Sequence, residues 1–313
     1  MNYIVFDLEW NQCPYGKKRE NSELPFEIIE IGAVKLNKEF EVVDKFYKVV
    51  KPSVYHSLHY RTRQIVNLSR KELNNGEPFA DAVRAFFAWA GPNSFFCTWG
   101  SIDLTELQRN MEYYKILYLL KGPLHYFDVQ KLFAIQYETM DKRRSLEYAV
   151  DYFDMQRSGE FHNALSDAEY TAQVLMRIDL PVIWTYDSID VYQNPQAKED
   201  EIYAVYNGYT KYISREFPDK ESAMMDPEVR STRCCICGAK SRQKLRWFSV
   251  NAKNYYTTAI CPNHGYIKGK IRMLHGINGG YFAVKTIKVS SEHEAQDIAA
   301  KKAAIVMKRK KHA

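Results

Sequence analysis

No stretch of about 18 consecutive apolar residues occurs in this 313-residue chain, so nothing in it reads as a membrane-spanning helix. The N-terminus carries no signal-peptide pattern and runs directly into a strand-like segment bearing charge, so a soluble, cytoplasmic protein without a membrane partner is expected. Cysteine is scarce and uneven: Cys13 and Cys97 stand alone, whereas Cys234, Cys235, Cys237 and Cys261 cluster. That distribution excludes a disulfide framework and points to metal. Acidic residues all but vanish from Arg230 onward, where 18 Lys and Arg face 3 Asp and Glu, against 26 basic and 35 acidic residues before it. A basic C-terminal part of this kind implies a polyanionic partner, nucleic acid first, or simply a solubilising tail. The length accommodates two domains.

Residues 1–11, MNYIVFDLEWN, form a largely apolar run in which Asp7 and Glu9 share one face of a strand. Like charges side by side at the end of a buried strand repel and lose hydration, a penalty that a divalent cation removes. Taken alone, the pair equally fits an edge strand with two solvated acids, and it gains meaning only if further acids converge on it.

Residues 26–36 and 41–50 read as two more strands of a meander, with Glu30 in the first needing a partner or a solvated face. Residues 51–75 are basic and irregular; His56, His59, Arg61, Arg63 and Arg70 fit a solvated face or phosphate contacts. Phe79, Val83, Phe86, Phe87 and Trp89 mark a core-facing helix ended by Gly91-Pro92. Residues 94–99 read as a buried strand, and Ser101 as an N-cap that sets Asp103 in the first turn of the next helix, at the strand end where ligands gather. Residues 124–137 and 145–153 read as helices. In 164–178 an amphipathic helix carries Asp167 in its first turns, with His162 on the loop entering it. Each of these acids alone also fits a helix dipole.

Three ordered motifs, Phe6-Asp7-Leu8-Glu9, Thr98-Trp99-Gly100-Ser101-Ile102-Asp103 and His162-Asn163-Ala164-Leu165-Ser166-Asp167-Ala168, resemble the DEDDh (DnaQ-like) group of 3′→5′ exonucleases. Residues 27–34 are similar to that family's second strand, and the likeness, which spans residues 1–180, leans toward its RNA-trimming, KapD-like branch. Trp10-Asn11 departs from the small or hydroxyl residue of many relatives. The resemblance implies an α/β fold, an RNase-H-like mixed β-sheet flanked by helices. It implies catalysis by Asp7, Glu9, Asp103, His162 and Asp167. The four carboxylates are hard oxygen donors suited to two Mg²⁺ or Mn²⁺ ions for in-line displacement at phosphorus, and His162 is the base for the attacking water. The expected reaction releases 5′-mononucleotides from a single-stranded RNA 3′ end. A DNA exonuclease, or a nucleic-acid-binding protein with an inactive nuclease lobe, is the alternative. Trp10, Phe26 and Trp99 are candidates to stack on terminal bases, or else to pack internally.

Beyond residue 180 the chain reads as a linker, 181–229, with a local helix at 199–215, followed by a small, basic zinc-ribbon domain at 230–313. Cys234-x2-Cys237 and Cys261-x2-His264 make a closed four-ligand set for one structural Zn²⁺, with Cys235 a spare thiol. Around them Arg242, Lys244, Arg246, Phe248, Tyr256, Lys270 and Arg272 interleave charge with rings, as a single-stranded nucleic-acid platform does; a protein contact is the other reading. A helical C-terminus ends in Lys308-Arg309-Lys310-Lys311.

Overall fold

Strand β1 (Asn2–Gln12) is the centre of the first unit, because both of its faces are buried for most of its length. In the computed structural model, which describes all residues except Met140, Asp141, Ser158, His312 and Ala313, the chain divides into Met1–Tyr192 and Gln193–Ala313. The side chains of Arg309, Lys310 and Lys311 also lie outside the described residues.

In the first unit β1 pairs antiparallel with β2 (Phe26–Leu36), which pairs with β3 (Val42–Val49), giving the expected meander. Two short helices, α1 (Tyr60–Ile65) and α2 (Arg70–Asn75), replace the irregular stretch, α2 being closed by a Ser69–Glu72 capping box. After α3 (Phe79–Ala90), β4 (Ser94–Thr98) joins β1 in parallel and leads into α4 (Ile102–Tyr113). The segment 124–137 is not one helix. Its first part is β5 (His125–Asp128), parallel to β4, and Asp128 accepts from the Lys131 N–H to cap α5 (Val129–Tyr137). Then come α6 (Leu146–Tyr152), α7 (Ala164–Leu175), α8 (Leu180–Thr185) and the short antiparallel edge β6 (Ser188–Ile189). The sheet order β3-β2-β1-β4-β5-β6 mixes parallel and antiparallel pairs, and helices cover both faces. Ile4, Phe6 and Leu8 pack toward α3 and α4, whereas Tyr3 and Val5 pack toward α5, α6 and α7. This is the expected RNase-H-like α/β class.

The second unit corrects the linker and the stand-alone ribbon. Residues 199–215 are not a helix. β7 (Ile202–Tyr206) and β8 (Tyr209–Ile213) form a hairpin through Asn207-Gly208, the two-residue turn that right-twisted strands favour. After α9 (Lys220–Met225) and α10 (Pro227–Arg230), β9 (Arg242–Ser249), β10 (Asn254–Cys261), β11 (Gly265–His275) and β12 (Tyr281–Val289) complete an antiparallel sheet. Its order is β7-β8-β12-β11-β10-β9, so the segment read as tether supplies one edge of the sheet. α11 (Glu292–Lys311) lies against β10 and β11 through buried Ala295 and Ile298, with Lys268 paired to Glu294.

Candidate active site and metal centre

Two-residue alternation carries the Tyr3–Val5 face of β1 onward to Asp7 and Glu9. Where the apolar residues of that face end, the first turn of α7 arrives. Gly32 on β2 makes this approach possible, since a Cβ there would stand 2.1 Å from the Ala164 carbonyl carbon. Glu30, opposite Glu9 in the β1–β2 register, is buried and accepts from the Ala164 N–H at 3.1 Å and the Tyr47 hydroxyl at 3.2 Å. The partner that Glu30 required is thus the start of α7.

Asn163 caps α7, its side chain accepting from the Ser166 N–H. His162 just before it is exposed and has φ 64°, a left-handed conformation that His tolerates better than most residues. Its main-chain N–H donates to Asp167 Oδ2 at 3.0 Å. Asp167 Oδ1 is buried with no hydrogen-bond partner among the described residues. From the other side, Asp103 begins α4 and its Oδ1 accepts from the Leu8 N–H at 3.3 Å, which fixes it to β1 between Asp7 and Glu9. Ser101 precedes α4 but makes no side-chain cap.

Asp7, Glu9, Asp103, Asp167 and His162 all line one cavity of about 360 Å³, together with Trp10, Gln12, Arg61, Thr62, Ile65 and Trp99. Ligand atoms of Glu9, His162 and Asp167 lie within 4.8 Å of one another. At such a separation two ionised carboxylates repel by roughly 3 to 4 kcal/mol at an effective dielectric of ~20, more than the ~1 kcal/mol a hydrogen bond returns. Protonation is correspondingly favoured. Burial, then Asp103, Asp167, Glu9 and Glu30, hold Asp7 well above the usual carboxylate range. Burial, then Asp167, Glu30 and Asp103, push Glu9 up to about 8. Burial lifts Asp103 to about 7 against the Leu8 N–H, and Asp167 to about 6 against the His162 N–H and charge. An all-oxygen donor set, mutual repulsion and the orphaned Asp167 Oδ1 fit hard divalent cations held by these four side chains.

Trp10 and Trp99 reach the cavity, although Trp99 also donates to the Arg144 carbonyl at 3.2 Å. Phe26 does not line it; its ring packs against Trp10, centroids 5.8 Å apart. Asn11 has a structural task that its place in the motif did not reveal. Fully buried, it donates to the Tyr55 and Ser57 carbonyls and accepts from the His59 N–H, fixing the loop that leads into α1 and hence Arg61 and Thr62. Only the partners, 44 to 48 residues away, show this.

In the second unit the ligand atoms of Cys234, Cys237, Cys261 and His264 lie within 4.8 Å of one another. Cys234 Sγ is 3.6 Å from His264 Nδ1, and Cys237 Sγ is 3.6 Å from Cys261 Sγ. Burial opposes ionisation of Cys261, but the Asn263 and His264 N–H groups and the neighbouring His264 and Cys237 side chains bring its thiol down to about 6. This Cys3His set fits a closed tetrahedral zinc site. Cys235 points elsewhere, toward the Gly208 carbonyl at 3.5 Å.

A mixed parallel and antiparallel sheet thus brings four carboxylates together on one cavity at its centre. The exonuclease family model of the RNase T type matches residues 4–175, and the chain belongs to that exonuclease family. A probable 3′-5′ exonuclease, KapD, of Bacillus subtilis (strain 168) is 29% identical over 180 residues, covering 56% of this chain and 82% of the relative. Two solved structures are also similar. A 3′-exonuclease described in 3′-end specific recognition of a histone mRNA stem-loop is 18% identical, covering 56% of this chain and 80% of its own, with a TM-score of 0.48. The nuclease domain of 3′hExo, a DEDDh family member bound to rAMP, is 19% identical, covering 56% and 90%, also with a TM-score of 0.48.

Proposed function

We propose that the chain removes 5′-mononucleotides from the 3′ end of single-stranded RNA, with Asp7, Glu9, Asp103 and Asp167 holding two Mg²⁺ or Mn²⁺ ions. The observation that carries this reading is the convergence of four carboxylates from β1, α4 and α7 on one cavity, all held above their ordinary pKa. Bound divalent cations supply the Lewis acidity that activates water and neutralises charge at phosphorus. The chain's own residues do the rest. His162, exposed at the rim on a loop tied to Asp167, accepts the proton of the attacking water at an imidazole nitrogen. Trp10 and Trp99 offer faces for the terminal bases, and Arg61 offers charge for the scissile or adjoining phosphate. Phe26 supports Trp10 from behind.

RNA is proposed over DNA on the sequence likeness of the Thr98–Asp103 and His162–Asp167 motifs to the RNA-trimming branch. The second unit is proposed to hold one structural Zn²⁺ at Cys234, Cys237, Cys261 and His264 and to contact the nucleic-acid strand. Exposed Arg242, Lys244 and Arg246 alternate along the edge strand β9, and exposed Lys270 and Arg272 lie on β11, which supports a phosphate-contacting surface. Digestion of matched RNA and DNA oligomers with Mg²⁺ tests the reading. Faster release of mononucleotides from RNA supports it; equal or faster DNA digestion makes it a DNA exonuclease, and tight binding without turnover makes it a binding protein.

A further inference from the structure

The basic stretch that follows β3 is only partly absorbed by the acidic site. Arg61, Thr62 and Ile65 of α1 line that site, but Arg63, on the same helix, lines a second cavity of about 390 Å³ with His56, Arg70, Leu58, Leu68 and Leu73. This volume lies in the range of small-molecule sites, about 300 to 1,000 Å³. No carboxylate among the described residues lines it. Among the described residues, no ion pair or hydrogen bond engages the side chains of His56, Arg63 or Arg70.

Two buried polar side chains hold the wall of this cavity from below. Glu27, 2% exposed, accepts from the Ser53 N–H at 2.6 Å and the Val54 N–H at 2.9 Å with Oε1, and from the Tyr55 N–H at 2.7 Å with Oε2. Asn11 secures the next residues through the Tyr55 and Ser57 carbonyls. The floor is equally fixed, since Leu73 is buried with Ile29 and Val66, and Leu58 and Leu68 pack on them. The result is a preformed recess with an apolar floor and cations with no counter-charge in its lining. A simple solvated face needs no such support. Phosphate answers the two guanidinium groups, and the flat face of a base answers the leucines.

We propose that this recess binds a phosphate-bearing nucleotide through Arg63 and Arg70, with its base on Leu58, Leu68 and Leu73. The inference rests on the exonuclease reading for the source of that nucleotide, either an upstream residue of the bound strand or the free 5′-mononucleotide released by hydrolysis.

The test uses the full chain with zinc retained, compared with an Arg63→Gln/Arg70→Gln variant and with Leu68→Trp, which fills the recess without changing charge. Adenosine 5′-monophosphate is titrated without Mg²⁺, and KM is measured with Mg²⁺ for a dinucleotide and an octanucleotide. If the free product is the ligand, its affinity falls about tenfold or more in both variants, because one loses the charge-assisted contacts to phosphate and the other the space for the base, while both KM values hold. If the strand is the source, octanucleotide KM rises by about fivefold or more while dinucleotide KM holds. Binding and octanucleotide KM both within about twofold of wild type, in both variants, would overturn the proposal. Failure of the wild-type chain to cleave either substrate would instead remove the exonuclease reading, and the nucleotide titration would then decide the recess by itself.

Discussion

The main-chain N–H of His162 donates to Oδ2 of Asp167 at 3.0 Å, so an exposed imidazole and a buried carboxylate share one rigid frame. The other oxygen of Asp167 has no hydrogen-bond partner among the described residues. In the proposed reading His162 is the base at the rim and Asp167 a ligand at the floor, and this contact ties the main chain of the one to the carboxylate of the other.

Replacing His162 with Ala should therefore lower kcat by roughly a hundredfold or more, the scale of general-base catalysis, while leaving substrate affinity nearly unchanged. Steady-state kinetics on a short oligomer separate the two. A variant with wild-type kcat would remove His162 from the base role.

Asp103→Asn keeps an oxygen to accept from the Leu8 N–H but removes a charge from a repelling cluster. Turnover should be lost, yet the metal-free variant should melt at the same temperature as wild type or higher. A calorimetric scan beside a nuclease assay checks both halves; loss of activity accompanied by a collapsed melting temperature would mean Asp103 is needed for folding instead.

In the metal-free chain the pH dependence has a definite sign. Glu9, Asp103 and Asp167 sit at about 8, 7 and 6 when folded, against about 4 when unfolded, so the folded chain holds extra protons between those values. Their contribution to stability is complete below the unfolded pKa and is lost as pH rises through 6, 7 and 8. Thermal melts in Mg²⁺-free buffer should fall across that window, and added Mg²⁺ should raise the melting temperature more at pH 8 than at pH 6. A stability that climbed with pH in this window would contradict the clustering.

Cys237→Ser should release the zinc and unfold the second unit, because a closed Cys3His site contributes directly to folding. Cys235→Ser should keep one zinc per chain, since that thiol faces the Gly208 carbonyl. Metal analysis of the purified variants distinguishes them; metal loss in Cys235→Ser would reassign the ligand set.

Much of the site was legible because its signals are local. The two-residue spacing of Asp7 and Glu9, the Asp103 position after a buried strand, and the His162–Asp167 offset at a helix start each survive in the fold. Glu30 was legible only as a question, because its answer, the Ala164 N–H, lies 134 residues away. Phe26 takes the packing alternative: neighbouring rings look alike in sequence, and only the fold puts Trp10 in front. Residues 125–128 read as helix because their apolar spacing continues into α5; pairing with β4 overrides it. The Asn207-Gly208 turn stands in the sequence as a hairpin signal between two runs of aromatic and β-branched residues, and in the fold it joins two paired strands.

The most direct measurement is the product spectrum from an RNA oligomer with a free, unblocked 3′ hydroxyl, followed over time with and without Mg²⁺. Stepwise shortening from the 3′ end, release of 5′-mononucleotides and complete dependence on the added cation are predicted. Internal fragments at early times, or equal cleavage in a buffer lacking divalent cations, would contradict an enzyme built on these four carboxylates.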